Sequence, residues 1–375
     1  MKLGISPEQF LREYWNKKPL LVKGAVKNAP DLATFDDFFD MAEDPDFETR
    51  MVYESGGEYP WQAIPGPITK ADYKKDALWT LICHNLELLN PDFFEFKKAV
   101  RFVPEWNFDD VMATISKKGA SVGAHIDDYS VFIFQGAGSR KWMLQSDPDP
   151  EFVPNIDIRL LKKFVPDTEW ILEPGDMLYL PPGVAHHGIS LEDSISYSIG
   201  FKSLRYNQLI DFHITQIIEQ AENASFRDSN ISLQNDPFLV QEYVMESIYK
   251  DLMKLIGDKD VFRQSLMKFL TSPKNAEQNP MDESREDIFN ELKNGTSFKR
   301  DMWAKMAAKE TLTGDIEVGI NSILFRVSDE TYQKVRSYFL NEPETEYQFS
   351  KADLNNLELV EMMLTLIGEG AFYLI

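Results

Sequence analysis

The chain has 375 residues, 43% hydrophobic and 13% aromatic, enough to fill real cores over two or three domains, which excludes a disordered polymer. Its formal net charge of −22 makes nucleic acid and anionic lipid poor partners and a cationic protein a better one. The single Cys83 excludes an internal disulfide framework or a cysteine zinc site; a small core residue in a reducing compartment is its expected role.

"MKLGISPEQFLREYW" has no apolar signal region, and no stretch of about 18 uncharged apolar residues occurs, so a soluble, cytoplasmic protein is expected. Ser6 as N-cap, Pro7 in the first turn and Gln9 three residues past the cap predict the first helix, with Phe10, Tyr14 and Trp15 following. "LLVKG" predicts a short strand, and mixed helical segments are expected after it. Five β-rich stretches then alternate with Gly, Pro and Asp turns: "VMATIS" (111–116), "SVFIFQ" (130–135), "KWMLQ" (141–145), "DMLYLP" (176–181) and "SISYSIGF" (194–201). They predict a sandwich or small barrel. From about Tyr206 the period becomes helical, with Leu209, Ile210, His213, Ile214, Ile217 and Ile218 on one stripe that places His213 in a core or an interface. Two more helices are predicted in "PFLVQEYVMESIYKDLMKLIG" and "VFRQSLMKFL", with apolar faces suited to a second copy of the chain. "TSPKNAEQNP" (271–280) reads as a linker. A helix in "REDIFNELKNG", a hairpin around "IEVGINSILFRV" and a helix capped by Ser328 then suggest a winged-helix-like end. Residues 281–375 carry ten Lys or Arg against eighteen Asp or Glu, so this end is expected to be a protein-contact or structural module and not to bind DNA.

Three of the five histidines fall in two β-rich segments. In "GAHIDDYS" strand alternation puts His125 and Asp127 on one face, with Ile126 and Asp128 on the other. Alone, such a pair is more often structural. "EPGDMLYLPPGVAHHGIS" adds His186 and His187 after a rigid Pro-Pro-Gly turn, and two histidines with one carboxylate make the ligand set of non-haem Fe(II) oxygenases. In "QGAGSRKWMLQ", Arg140 opens a strand and can pair bidentately with a carboxylate of a bound acid, while Lys141 faces the other way.

These motifs resemble the JmjC-type, cupin-fold 2-oxoglutarate oxygenases: His-x-Asp, a basic residue before Trp, "PPGxxH" and a closing "SxGF". "YWNKKPLLVKG" is similar to the start of the ribosomal-oxygenase branch, and the resemblance runs along the whole chain. It implies an α+β fold: a JmjC/cupin double-stranded β-helix oxygenase domain over 1–204, a helical dimerisation region with linker over 205–280, and a winged-helix-like domain over 281–375. It implies Fe(II) held by His125, Asp127 and His186, with 2-oxoglutarate and O₂ as cosubstrates. Arg140 would meet the distal carboxylate of 2-oxoglutarate, and Ser116 would offer it a hydroxyl. His186 fits the family spacing, though His187 beside it leaves a one-residue slip open. The implied activity is oxidative decarboxylation of 2-oxoglutarate coupled to hydroxylation of an arginine on a basic large-subunit ribosomal protein, the sixteenth of the L series. The acidic stretch 145–157 and Asp128 could attract such a guanidinium. His84 matches no motif. Another metal-dependent cupin enzyme and a non-catalytic interaction protein remain as alternatives; the first would favour more histidines and has no need of Arg140.

Overall fold

A computed structural model describes residues 3–26, 32–54, 61–73, 77–88, 91–154, 156, 158–221, 225–229, 231, 233, 236, 238–274 and 283–375. Its contacts divide the chain into two compact units, residues 1–203 and 204–375.

The first unit opens with helix α1 (Pro7–Glu13), where the Ser6 hydroxyl accepts from Gln9 N–H. Strand β1 (Leu20–Val22) and helix α2 (Phe35–Glu43) follow, then β2 (Thr49–Glu54), β3 (Trp61–Pro65), β4 (Leu78–Cys83) and helix α3 (Pro91–Ala99). The remaining strands are β5 (Phe108–Ser116), β6 (His125–Ile126), β7 (Ser130–Ala137), β8 (Arg140–Gln145), β9 (Thr168–Leu172), β10 (Met177–Leu180), β11 (Ala185–Ser190) and β12 (Ser194–Phe201). One sheet runs β1-β10-β7-β12-β5-β4-β2-β3 and a smaller one β6-β11-β8-β9. The five predicted β stretches all lie within these sheets. Strands β2 to β4, in contrast, fall where mixed helical segments were expected. "LWTLIC" is buried at five consecutive positions, so it lacks the alternation that marks a half-buried strand.

Strand β12 shows how the unit is built. Ile195, Tyr197, Ile199 and Phe201 belong to the main hydrophobic cluster, with Phe10 of α1, Phe38 of α2 and Phe93 of α3. The fully buried Phe10 ring lies 4.8 Å from that of Tyr179 and 5.3 Å from that of Phe132; burying such a side chain contributes about 2–3 kcal/mol. The alternate residues Ser194, Ser196 and Ser198 pair in register with Ser116, Thr114 and Met112 of β5. Helices and apolar side chains thus occupy one face of the large sheet, and along β5 and β12 the other face carries Ser116, Ser194, Ser196 and Ser198. That second face turns toward the small sheet, whose Trp142 and Leu144 pack with Val131, Ile133, Leu178 and Leu180.

The second unit contains α4 (Tyr206–Gln220), α5 (Glu242–Ile256), α6 (Lys259–Leu270) and α7 (Arg285–Asn294), then β13 (Phe298–Arg300), β14 (Met306–Glu310), β15 (Ile316–Ile320) and β16 (Ile323–Val327). It ends with α8 (Asp329–Leu340), α9 (Lys351–Asn355), α10 (Leu357–Gly368) and β17 (Phe372–Leu374). The predicted hairpin is β15–β16, extended by β14 into a three-stranded sheet, and the Ser328 hydroxyl caps α8. Seven side chains of α10 are buried, which makes it the centre of this core. His213 is buried on α4, its Nδ1 2.9 Å from the Ser265 hydroxyl. No residue of α5 is buried, and Tyr243, Met245, Tyr249, Leu252 and Met253 are exposed along it. Of the expected linker, 275–280 lies outside the described residues, and Thr271 is fully buried. No described helix is long and apolar enough to cross a membrane.

Candidate active site

Antiparallel pairing of β6 with β11 sets His125 directly opposite His186, with ring centroids 4.2 Å apart. Asp127, one residue past β6, completes the group: its Oδ1 lies 3.9 Å from His125 Nε2 and its Oδ2 3.5 Å from His186 Nε2. One ligand atom from each residue lies within 4.8 Å of the others, and among the described residues this is the cluster able to hold a metal. The tautomers favour that use. His125 Nδ1 lies 3.0 Å from the Gly123 carbonyl, and His186 Nδ1 3.1 Å from the Val184 carbonyl. A carbonyl only accepts, so both Nδ1 atoms carry the proton and both Nε2 lone pairs face Asp127. Burial lowers the His186 pKa to about 4, with His125 adding to the shift, so this ring is neutral at physiological pH. The loop before β6 depends on Gly123, whose φ is +82° and where a Cβ would stand 2.6 Å from the Leu160 side chain.

Arg140 faces the same interior. On the β8–β11 ladder it pairs with Ser190 and Leu144 pairs with His186, so it sits four residues along from the histidine on one strand face. Its Nε donates to Ser190 Oγ at 3.2 Å, Nη1 to Ser196 Oγ at 3.5 Å and Nη2 to Ser116 Oγ. The side chain is 3% exposed and, among the described residues, has hydroxyl partners and no carboxylate partner. Burial lowers its pKa to about 10, and it stays cationic at neutral pH. A buried cation without a counter-charge is costly unless an anion arrives to complete it. Ser116 is fully buried, its Oγ also 2.9 Å from Thr80 Oγ1, so this hydroxyl is fixed beside the guanidinium. Trp142, between Arg140 and Leu144 on that face, has a buried indole N–H with no hydrogen-bond partner among the described residues. An acid that is both chelating and anionic fits this set of donors, as the two-histidine, one-carboxylate cluster fits a divalent iron.

Alternation along β5 puts Asp110 on the face of Met112, Thr114 and Ser116, six residues from the last. Asp110 is 3% exposed; its Oδ2 lies 3.0 Å from His84 Nδ1, and a Cβ at Gly200 would come 3.3 Å from its Oδ1. The phenol of Tyr129 hydrogen-bonds Asp127 and feels the charge of Asp110; burial first, then Asp127, pushes its pKa far up. Sequence reasoning missed Asp110 and Tyr129, because only β5 alternation traced back from Ser116 brings Asp110 into view. Glu87, 7% exposed, accepts from Val111 N–H at 2.8 Å, and burial pushes its carboxyl up to about 7. The folded state therefore keeps a proton that the unfolded chain gives up near pH 4.3, and this stability is lost as pH rises through 7. Glu87→Gln should gain thermal stability on the native protein from pH 5 to pH 8, by up to about 3 kcal/mol. A gap constant across that range in melting curves would remove Glu87 as the cause.

His187 lies on the opposite face of β11 from His186, its ring centroid 6.0 Å from that of Phe164. Burial, then His125 and Lys141, lowers its pKa to about 4. Lys141 does face away from Arg140, with Nζ 3.7 Å from Glu169 Oε2. Asp128 is exposed. Of the acidic stretch 145–157, positions 155 and 157 lie outside the described residues, and Leu160 bridges to His125 just beyond it.

Residues 95–209 match the JmjC domain family. The chain is 33% identical over 213 residues to a probable ribosomal oxygenase of Haemophilus influenzae, a match covering 55% of this chain and 52% of that protein. It is 27% identical over 272 residues to the ribosomal protein uL16 3-hydroxylase of Escherichia coli, covering 72% of each. The match thus spans about half the length of the first relative. Among solved structures, an X-ray structure of E. coli YcfD superimposes over 100% of both chains with a TM-score of 0.81 at 22% identity. YcfD in complex with cobalt and 2-oxoglutarate, a ribosomal oxygenase, gives a TM-score of 0.77 at 23% identity, covering 100% of this chain and 99% of that one. The α+β architecture, a JmjC cupin-type double sheet with helices and a further C-terminal region, is therefore that of YcfD. Residues 95–209 thus resemble the JmjC domain, and the relatives the chain is similar to are named as ribosomal oxygenases.

Proposed function

We propose that this protein is an Fe(II)- and 2-oxoglutarate-dependent hydroxylase of an arginine side chain on the large-subunit ribosomal protein uL16, the sixteenth of the L series. The observation that carries the reading is the pairing of two unlike halves in one interior. His125, Asp127 and His186 present ligand atoms within 4.8 Å of one another, and Arg140 is a buried cation whose hydrogen-bond partners among the described residues are hydroxyls. The names of the E. coli and H. influenzae relatives, and the cobalt and 2-oxoglutarate bound to YcfD, support a metal- and 2-oxoglutarate-dependent oxygenase acting on a ribosomal protein.

In this reading His125, Asp127 and His186 hold Fe(II), which when bound supplies oxidation by O₂ coupled to decarboxylation of 2-oxoglutarate. The chain's own residues position the reactants. Arg140, steadied by Ser116, Ser190 and Ser196, receives the distal carboxylate and fixes how deep the cosubstrate enters. The neutral imidazoles, each tied through Nδ1 to a carbonyl, keep the ligand geometry from drifting. Asp110, buried on the Ser116 face of β5, supplies negative charge suited to a guanidinium, and the overall −22 favours approach of a basic protein.

The interior of 1–204 would hold the chemistry, and the regions 205–280 and 281–375 would serve assembly and protein contact without direct DNA binding. The exposed apolar side chains of α5 support a homodimer, for which light scattering on the full chain should give twice 43.3 kDa. The proposed location is cytoplasmic, with the ribosome. The deciding experiment incubates purified protein, Fe(II) and 2-oxoglutarate with uL16. Succinate release together with a mass gain of about 16 Da on an arginine is expected, that being one inserted oxygen atom. Succinate without any modified residue would sink the substrate assignment.

A further inference from the structure

We propose that Trp142 is a second contact for the bound acid: its indole N–H donates to a carboxylate oxygen of the dicarboxylate that Arg140 anchors. The inference rests on the 2-oxoglutarate reading above and deepens it. Trp142 is 7% exposed, and its Nε1 is buried without a hydrogen-bond partner among the described residues. A buried donor left unpaired costs about 1–3 kcal/mol, and buried polar groups are with few exceptions satisfied, so this one calls for an acceptor brought from outside.

Its place on β8 says which kind. Along the β8–β11 ladder Arg140 stands opposite Ser190, Trp142 opposite Gly188 and Leu144 opposite His186. The indole therefore occupies the step between the guanidinium and the proposed metal ligand: its centroid is 5.9 Å from that of the His186 ring, and Arg140 Cζ lies 5.7 Å from it. Alternate residues of a strand repeat at about 6.6 Å, so an acid reaching from the metal cluster to Arg140 has to pass this ring. Gly188 lets the ring take that position. A Cβ there would stand 3.0 Å from Cη2 and Cζ2 of Trp142 and 3.1 Å from Cζ3, so the six-membered ring lies close against the backbone of β11. The side chains packed with Trp142 from the large sheet, Val131, Ile133, Leu178 and Leu180, accept nothing. Ser116, Ser190 and Ser196 already take N–H groups of Arg140. A carboxylate suits what is left, because its two oxygens offer about four acceptor sites, enough for the guanidinium and the indole together. An indole N–H only donates, so it serves an anionic end and offers nothing to an ammonium.

The test labels the indole nitrogens of the full-length protein loaded with zinc, a diamagnetic stand-in for iron, and follows the Trp142 N–H resonance as 2-oxoglutarate is added. The resonance is assigned by its absence in Trp142→Phe or, if that variant does not fold, in Trp142→Tyr. It should move downfield as the cosubstrate binds. Phenylalanine keeps an aromatic ring and removes the donor, so calorimetry on Trp142→Phe should give roughly ten-fold weaker 2-oxoglutarate binding with zinc content unchanged, the low end for a hydrogen bond to a charged group. A resonance that stays in place at saturation, or equal affinity in Trp142→Phe and the native protein, overturns the inference. Native protein that binds no 2-oxoglutarate overturns the cosubstrate reading and this contact with it. Binding with the downfield shift in a protein that leaves uL16 unmodified sinks the substrate assignment alone and upholds the contact.

Discussion

Iron loaded into the native protein should be retained by His187→Ala and lost from His186→Ala and Asp127→Ala, with succinate formation in those two falling by at least about 100-fold. Adjacent histidines on a strand face opposite ways, and the register decides between them. The β6–β11 pairing sets His186 against His125 and turns its Nε2 to Asp127 at 3.5 Å, whereas His187 packs against Phe164. Neither His186→Ala nor Asp127→Ala should unfold the domain, since neither side chain belongs to its hydrophobic clusters. Elemental analysis of folded protein, checked by circular dichroism, measures this directly. Native iron content in His186→Ala would transfer the third ligand elsewhere.

Arg140→Met should move function and stability in opposite directions. Arg140 is buried among three serine hydroxyls, and burial lowers its pKa to about 10. Against an unfolded value of about 12.5, that shift costs the folded state about 3 kcal/mol throughout the neutral range, a cost relieved only as pH rises through 10. Methionine keeps much of the volume and removes the charge, so the apo protein should melt several degrees higher. The 2-oxoglutarate requirement should rise by at least about 30-fold, the lower end for breaking a buried charge pair. Thermal melts without cosubstrate and succinate kinetics against 2-oxoglutarate concentration separate the two effects. A lower melting temperature with an unchanged requirement would make Arg140 a structural residue.

The proposed metal ligands were readable because histidine is scarce here and strand alternation is a local rule: spacing alone set His125 beside Asp127. Arg140 was readable as a strand-opening base able to pair with an acid, while its 2-oxoglutarate role and Ser116 came through the family resemblance; hydrogen bonds gather them with Ser190 and Ser196 from four strands of the two sheets. Asp110, His84 and Glu87 carried no motif. Their meeting depends on β4 pairing with β5 and on the turn after β4, contacts between residues some 26 positions apart. Strand β4 escaped for a related reason, since a strand covered on both faces has no period to read. In the second unit the helical stripe gave α4 and α6 well. The long helix expected from 237 instead starts at Glu242, after an extended Gln241 whose side chain makes no cap.

Strand β12 assigns its odd-numbered residues to the helix-covered core and its even-numbered ones to the chamber of Arg140. Folding and chemistry therefore draw on different letters of a single eight-residue word. Changes at Ser194, Ser196, Ser198 or Gly200 thus act first on the chamber's wall, and changes at Ile195, Tyr197, Ile199 or Phe201 first on the packing of the scaffold.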